Sequence, residues 1–120
     1  MLRVSDMEQS IRFYTKILGM KVLRTIEQPD EKYKLAFLGY GDELESAALE
    51  LTYNYDIKKY DHGSAYGHIA ISVKDIYRTC NEMKASGVNI TRDPGPLKGS
   101  NEIIAFISDP DGFKIELIQD

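Results

Sequence analysis

Glu50, His68 and Glu116 each lie in a strand-like run, and both glutamates sit between large apolar residues, Leu49 and Leu51 in one case, Ile115 and Leu117 in the other. A carboxylate so placed is costly to bury unless it is paired or bound to a cation. One imidazole and two carboxylates carried on strands suit a borderline divalent ion, such as nickel, zinc, cobalt or iron, with water in the remaining positions. Each residue taken alone also fits a plainer reading, with the glutamates exposed on open strands and His68 a hydrogen-bonded core histidine. The relation between the two glutamates weighs against it.

That relation is an internal repeat. Val4-Ser5-Asp6-Met7 answers Val73-Lys74-Asp75-Ile76, and Ala36-Phe37 answers Ala105-Phe106, both at an offset of 69 residues. Gly19-Met20-Lys21-Val22-Leu23-Arg24 answers Gly87-Val88-Asn89-Ile90-Thr91-Arg92 at an offset of 68. Near the end of each half, Leu49-Glu50-Leu51 answers Ile115-Glu116-Leu117, after a loop three residues longer in the first half. Glu50 and Glu116 are therefore equivalent positions in two copies of one supersecondary unit.

The elements of that unit follow from local signals. Ser5 and Asp6 are N-cap candidates with Glu8 and Gln9 three residues on, and Met7, Ile11, Tyr14 and Leu18 follow at helical spacing until Gly19. Strand-like runs over 21–26, 33–40 and 47–54 come next, punctuated by Pro29-Asp30 and Gly41-Asp42. A short strand before the helix completes β-α-β-β-β. The second half repeats it, with a strand over 67–73, a helix capped by Asp75 and closed by Gly87, and strands near 88–91, 102–108 and 113–118. The expected fold is α+β, with units 1–54 and 67–119 of one domain joined by a Tyr- and Lys-rich linker, 55–66. A unit of this size is marginal alone, so the units should pack together or against a partner chain.

Alternation along the strands sorts the side chains by face. Ile69, Ile71 and Val73 suit a helix-covered face, which turns His68 the other way. Leu49, Leu51 and Tyr53 likewise leave Glu50, Thr52 and Asn54 opposite, and Phe113, Ile115 and Leu117 leave Lys114, Glu116 and Ile118 opposite. All three candidate ligands fall on the face away from the helices. His62, beside Asp61 and Gly63, reads as a surface residue, and Cys80, on an apolar helix face, as a small packed hydrophobe.

Composition narrows the functional classes. At 120 residues and 42% hydrophobic, the chain has room for one cored domain and little else. It has no apolar run long enough to span a membrane and no leader-like start, so a soluble, cytoplasmic protein is expected. The single cysteine cannot form an internal disulfide, which fits a reducing compartment. A net charge of −4, without a dense basic block, argues against nucleic acid.

The residues Glu50-Leu51-Thr52-Tyr53-Asn54, Tyr66-Gly67-His68-Ile69-Ala70, Asp109-Pro110-Asp111-Gly112-Phe113 and Lys114-Ile115-Glu116-Leu117 resemble glyoxalase I, the lactoylglutathione lyases of the vicinal oxygen chelate superfamily. Met1-Leu2-Arg3-Val4, Ser10-Ile11-Arg12-Phe13-Tyr14 and Leu18-Gly19-Met20 match too, so the resemblance covers essentially the whole chain. It is closest to the short bacterial form. The resemblance implies two paired βαβββ units forming a cupped mixed sheet, and a homodimer whose active sites lie at the subunit interface. It implies nickel or cobalt as the metal, with zinc possible, and methylglyoxal detoxification as the role. The substrate would be the methylglyoxal–glutathione hemithioacetal, isomerised to S-lactoylglutathione. Glu50 of one chain would meet His68 and Glu116 of the other around the metal. Glu116 would be the base that moves the proton between neighbouring carbons, with Glu50 a ligand or second base. Arg3 and Asn54 look like glutathione contacts. Arg92, and Lys98 in the flexible segment Gly95-Pro96-Leu97-Lys98-Gly99, are further candidates for its carboxylates, Arg92 being equally readable as a surface cation.

The family uses two histidines and two glutamates. Its first histidine lies two residues before the methionine that matches Met1, and His68 taken back by the repeat offset falls on the same place. A further histidine ligand is thus expected two positions upstream of Met1, outside the 120 residues, leaving a first strand of about four residues. A start at an internal methionine accounts for this better than a three-ligand variant. Dioxygenases and fosfomycin thiol transferases of the same architecture lack an acid at the Glu50 position, so Glu50 points to the isomerase. The other expectation to test is a non-catalytic or metal-impaired member that binds a small molecule.

Overall fold

Asp6 opens the first helix by accepting the backbone N–H of Gln9 at 3.0 Å, and Asp75 opens the second by accepting that of Arg78 at 3.1 Å. These caps satisfy donors that a helix start leaves unpaired. The computed structural model describes residues 1–120, with the elements β1 (Leu2–Arg3), α1 (Met7–Arg12), β2 (Lys21–Gln28), β3 (Tyr33–Gly39), β4 (Ala48–Asn54), β5 (Ile69–Val73), α2 (Ile76–Ala85), β6 (Asn89–Pro96), β7 (Ile103–Ser108) and β8 (Lys114–Gln119). No helix is long and apolar enough to cross a membrane.

The chain forms two compact units, Met1–Asp61 and His62–Asp120, each a βαβββ repeat with its own four-stranded mixed sheet. The strand orders are β1-β4-β3-β2 and β5-β8-β7-β6, and in both the first strand runs parallel to the last while the others are antiparallel. The parallel registers also repeat, Leu2 facing Leu51 and Ile71 facing Leu117. The expected linker is divided between the units. The Tyr55 N–H donates to the Lys32 carbonyl at 2.9 Å in the first unit, and His62 stacks on Phe113 in the second, with centroids 4.1 Å apart and planes at 6°. His62 is thus half-buried by a ring contact, not the plain surface residue its polar neighbours suggested.

Each unit buries one face of its sheet. Val4, Tyr14, Leu38 and Leu51 are fully buried in the first, and Ile76, Ile107, Ile115 and Leu117 in the second. Cys80 is 4% exposed among the packed residues of α2, so it does serve as a small hydrophobe. Burying such aliphatic side chains contributes roughly 1.5–3 kcal/mol each.

Several elements differ from their sequence signals. The first helix is α-helical only to Arg12 and widens into π-turns over Phe13–Ile17, where the Leu18 N–H reaches back five residues to Phe13 O at 3.3 Å. Thr15 lies inside the widened segment, its hydroxyl bonded to Ile11 O at 2.7 Å, a side-chain competition that disturbs regular helix. Gly19, at φ 72°, then ends it. β6 extends to Pro96, through two register shifts on an edge strand; that is where Pro and bulges are tolerated. β5 begins at Ile69, so His68 stands just before the strand.

Candidate active site

In the second unit, β8 is a central strand, and Glu116 on it alternates with buried Ile115 and Leu117. Its side chain is 15% exposed and its Oε2 lies 2.8 Å from Nε2 of His68. The pairing follows from the register, because Ile69 faces Ile115 and Ala70 faces Glu116, which brings the residue just before β5 alongside β8. Phe106 stands directly opposite Glu116 in the β7–β8 ladder and meets the His68 ring edge-on at 5.2 Å. A concavity of about 400 Å³ opens here, lined by Tyr66, Gly67, His68, Thr91, Arg92, Phe106 and Lys114.

Tyr66 and Arg92 hold the walls. The Tyr66 hydroxyl donates to the Lys114 carbonyl at 2.9 Å. Burial, then the negative charge of Asp109, raises its phenol above the usual range against a smaller opposing backbone hydrogen bond from Ile69, so it stays a donor. The Arg92 guanidinium donates to Ile104 O at 2.9 Å, Pro96 O at 3.0 Å and Gly95 O at 3.4 Å. Much of its hydrogen-bonding capacity is spent on the backbone of the β6–β7 hairpin, which it ties together. Lys98 is exposed at the tip of that hairpin, in the turn closed by Ser100 N–H to Leu97 O.

The first unit carries the equivalent row. Glu50 faces Phe37 across β3–β4, and Phe37 faces Arg24 across β2–β3. The Arg24 guanidinium lies 3.6 Å from the Phe37 ring centroid and its Nε donates to Glu43 at 3.0 Å. Glu50 is half-buried, on the same face as Thr52 and Asn54. Arg3 is exposed on β1 opposite Thr52, and Asn54 donates to the Tyr60 hydroxyl at 3.2 Å.

The second unit thus brings together two of the three expected ligands, His68 and Glu116, with Arg92 on the same concavity. Glu50, Arg3 and Asn54 belong to the first unit, and nowhere in the chain do three or more His, Cys, Asp or Glu side chains gather as a metal cluster. The pair itself fits a metal, since a nitrogen and an oxygen donor converge on one spot and both are of the type a borderline divalent ion takes. Phe106, Thr91, Tyr66 and Lys114 in the second unit and Arg24 in the first also belong to these rows, although sequence reasoning missed them. The repeat could have found Phe106 and Arg24, as both are aligned with Phe37 and Arg92.

Over residues 1–117 the chain matches the family described as the Glyoxalase/Bleomycin resistance protein/Dioxygenase superfamily. It is 59% identical over 119 residues to a lactoylglutathione lyase of Haemophilus influenzae, covering 99% of this chain and 88% of that protein. Against a lactoylglutathione lyase of Escherichia coli O157:H7 it is 57% identical over 120 residues, covering 100% of this chain and 89% of that one. Among solved structures, glyoxalase I from Zea mays superposes with a TM-score of 0.95 at 50% identity, covering 99% of this chain but only 43% of the maize chain. The trypanothione-dependent glyoxalase I of Leishmania major superposes with a TM-score of 0.87 at 48% identity, covering 99% of this chain and 83% of that one. Matched in sequence and in fold along nearly its whole length, the chain belongs to the glyoxalase/bleomycin resistance protein/dioxygenase superfamily.

Proposed function

We propose that this protein is a metal-dependent lactoylglutathione lyase that isomerises the hemithioacetal of methylglyoxal and glutathione to S-lactoylglutathione. The observation that carries this reading is the 59% identity, over 99% of the chain, to a lactoylglutathione lyase. The His68–Glu116 pair supports it, as does Glu50 at the equivalent place in the other unit. Nothing favours the non-catalytic alternative.

The reaction moves one proton from the carbon bearing sulfur and hydroxyl to the adjacent carbonyl carbon, with no net oxidation. Glu116 removes it and returns it to the neighbour; its carboxylate is mostly buried and beside an imidazole, so it is positioned without being fully solvated. The divalent ion, when bound, supplies positive charge against the negative charge that develops on the substrate oxygens. His68, Glu116 and Glu50 are the residues of this chain that would hold it. Nickel or cobalt is favoured over zinc by the resemblance to the short bacterial form. Phe106 excludes water from one side of the pair. Arg3, Asn54 and Lys98 meet the glutathione part, and Arg92 shapes the concavity around it.

The working form is a homodimer, with Glu50 of one protomer facing His68 and Glu116 of its partner, and the role is methylglyoxal detoxification in the cytoplasm. The deciding experiment measures thioester formation from methylglyoxal and glutathione by chelator-treated protein reloaded with nickel, cobalt or zinc. Activity restored by at least one ion is expected, most by nickel or cobalt. Failure with all three would overturn the assignment.

A further inference from the structure

Lys114 stands out in the second unit as a cation that the fold positions and leaves unused. It begins β8 and pairs with Ser108 of β7. Because Ile69 faces Ile115, Lys114 is also the β8 neighbour of His68 across the parallel ladder. Alternation with buried Ile115 puts it on the same face as Glu116. Its backbone is held by the Tyr66 hydroxyl, so the root of this flexible side chain is fixed on a central strand.

The surroundings offer its ammonium no partner. The ion pairs of this unit are His68–Glu116, Arg78–Glu82 and Lys84–Asp93, and Lys114 joins none of them. The one acidic side chain beside the concavity that Lys114 shares with His68, Arg92 and Phe106 is Glu116, which is already paired with His68. Arg92 already donates to three carbonyls. A ligand filling this space would strip water from an unpaired ammonium, which is costly unless the ligand brings negative charge.

We infer that Lys114 binds a carboxylate on the thiol-derived part of the substrate and thereby selects anionic thiols. This rests on the isomerase assignment above and deepens it. Arg92 is then mainly a positioning residue for the hairpin, and Lys114 is the cation that meets the ligand on this side.

The test compares the metal-loaded parent with Lys114→Met, Lys114→Arg and Lys114→Glu, using methylglyoxal adducts of glutathione and of a glutathione diester whose carboxylates are capped. Removing a charge-assisted hydrogen bond while leaving the reacting atoms undisturbed should appear in KM. With the glutathione adduct, Lys114→Met should raise KM about tenfold and leave kcat within about twofold, and Lys114→Glu should raise KM further. Lys114→Arg should largely restore binding. With the diester adduct, Lys114→Met should match the parent. An unchanged KM for Lys114→Met, or an equal rise with both thiols, would overturn the inference while parent turnover leaves the isomerase assignment standing. An inactive parent would instead count against that assignment. Calorimetric binding of S-methylglutathione to parent and Lys114→Met gives a readout without turnover, in which equal affinities would also overturn the inference.

Discussion

Phe106 meets the His68 imidazole edge-on, with centroids 5.2 Å apart and planes at 79°, and its backbone stands directly opposite Glu116. One ring therefore borders both members of the closest donor pair in the second unit. The Phe37–Glu50 pair repeats the backbone half of this relation in the first unit. An apolar neighbour on each glutamate limits hydration on that side and strengthens interactions with any charge bound there.

The role of Glu116 is testable by Glu116→Gln, which keeps the shape of the side chain. If Glu116 is the base, kcat should fall by about a hundredfold or more while substrate affinity changes far less. Steady-state kinetics on the glutathione adduct, with metal content measured alongside, check this. A variant that keeps metal and near-parent kcat would pass the role to Glu50.

Cys80 gives a prediction about stability. Burial first, then the charge of Asp93, raises its thiol above the usual range, against a smaller opposing pull from Lys84. The folded protein should resist a thiol reagent at about pH 8 and react only as fast as it opens. The sign for pH follows. A raised pKa favours the neutral thiol in the folded state, so stability is full below the ordinary thiol range and declines as pH rises through it. Labelling kinetics in increasing denaturant check the first point, and rapid labelling of native protein would contradict it.

Much of this architecture was legible because its signals are local. Asp6 and Asp75 are caps whose partners lie three residues away, and the alternation around Glu50 and Glu116 is a property of each strand by itself. What the sequence concealed depends on contacts between distant residues. His62 finds Phe113 near the opposite end of its unit, Arg24 finds the Phe37 ring from another strand, and Arg92 turns to the carbonyls of its own hairpin. None of these choices leaves a periodic trace. The π-widening after Arg12 is hidden for another reason, since the apolar spacing through Leu18 is compatible with either winding. For the site, the repeat exposed the equivalence of the glutamates, and the register added Phe106 and Lys114.

The register also makes a prediction at the start of the chain. Leu2 faces Leu51 as Ile71 faces Leu117, so a residue two places before Met1 would stand to Glu50 as His68 stands to Glu116. A chain extended by two residues with histidine at that position should bind nickel more tightly than the same extension with alanine, by about tenfold or more. Elemental analysis after dialysis against a graded chelator measures it. Equal retention by the two extended chains would remove that histidine from the ligand set.

The last prediction concerns how Glu50 is brought to the His68–Glu116 pair. Glu50→Ala and Glu116→Ala should each be nearly inactive alone, since each removes a proposed ligand. If a site takes Glu50 from one protomer and Glu116 from its partner, a mixed dimer has one site lacking both residues and one site intact. Random exchange makes half of the dimers mixed, so the mixture should recover about a quarter of parent activity. If instead both residues serve a site within one chain, every site in the mixture lacks one of them. The experiment is to unfold and refold the two variants together at equal concentration, with each refolded alone as a control, and to assay all three after metal loading. Recovery only in the joint sample would locate the site between protomers. A joint sample as inactive as the controls, with mixed dimers demonstrated by mass, would overturn the shared site.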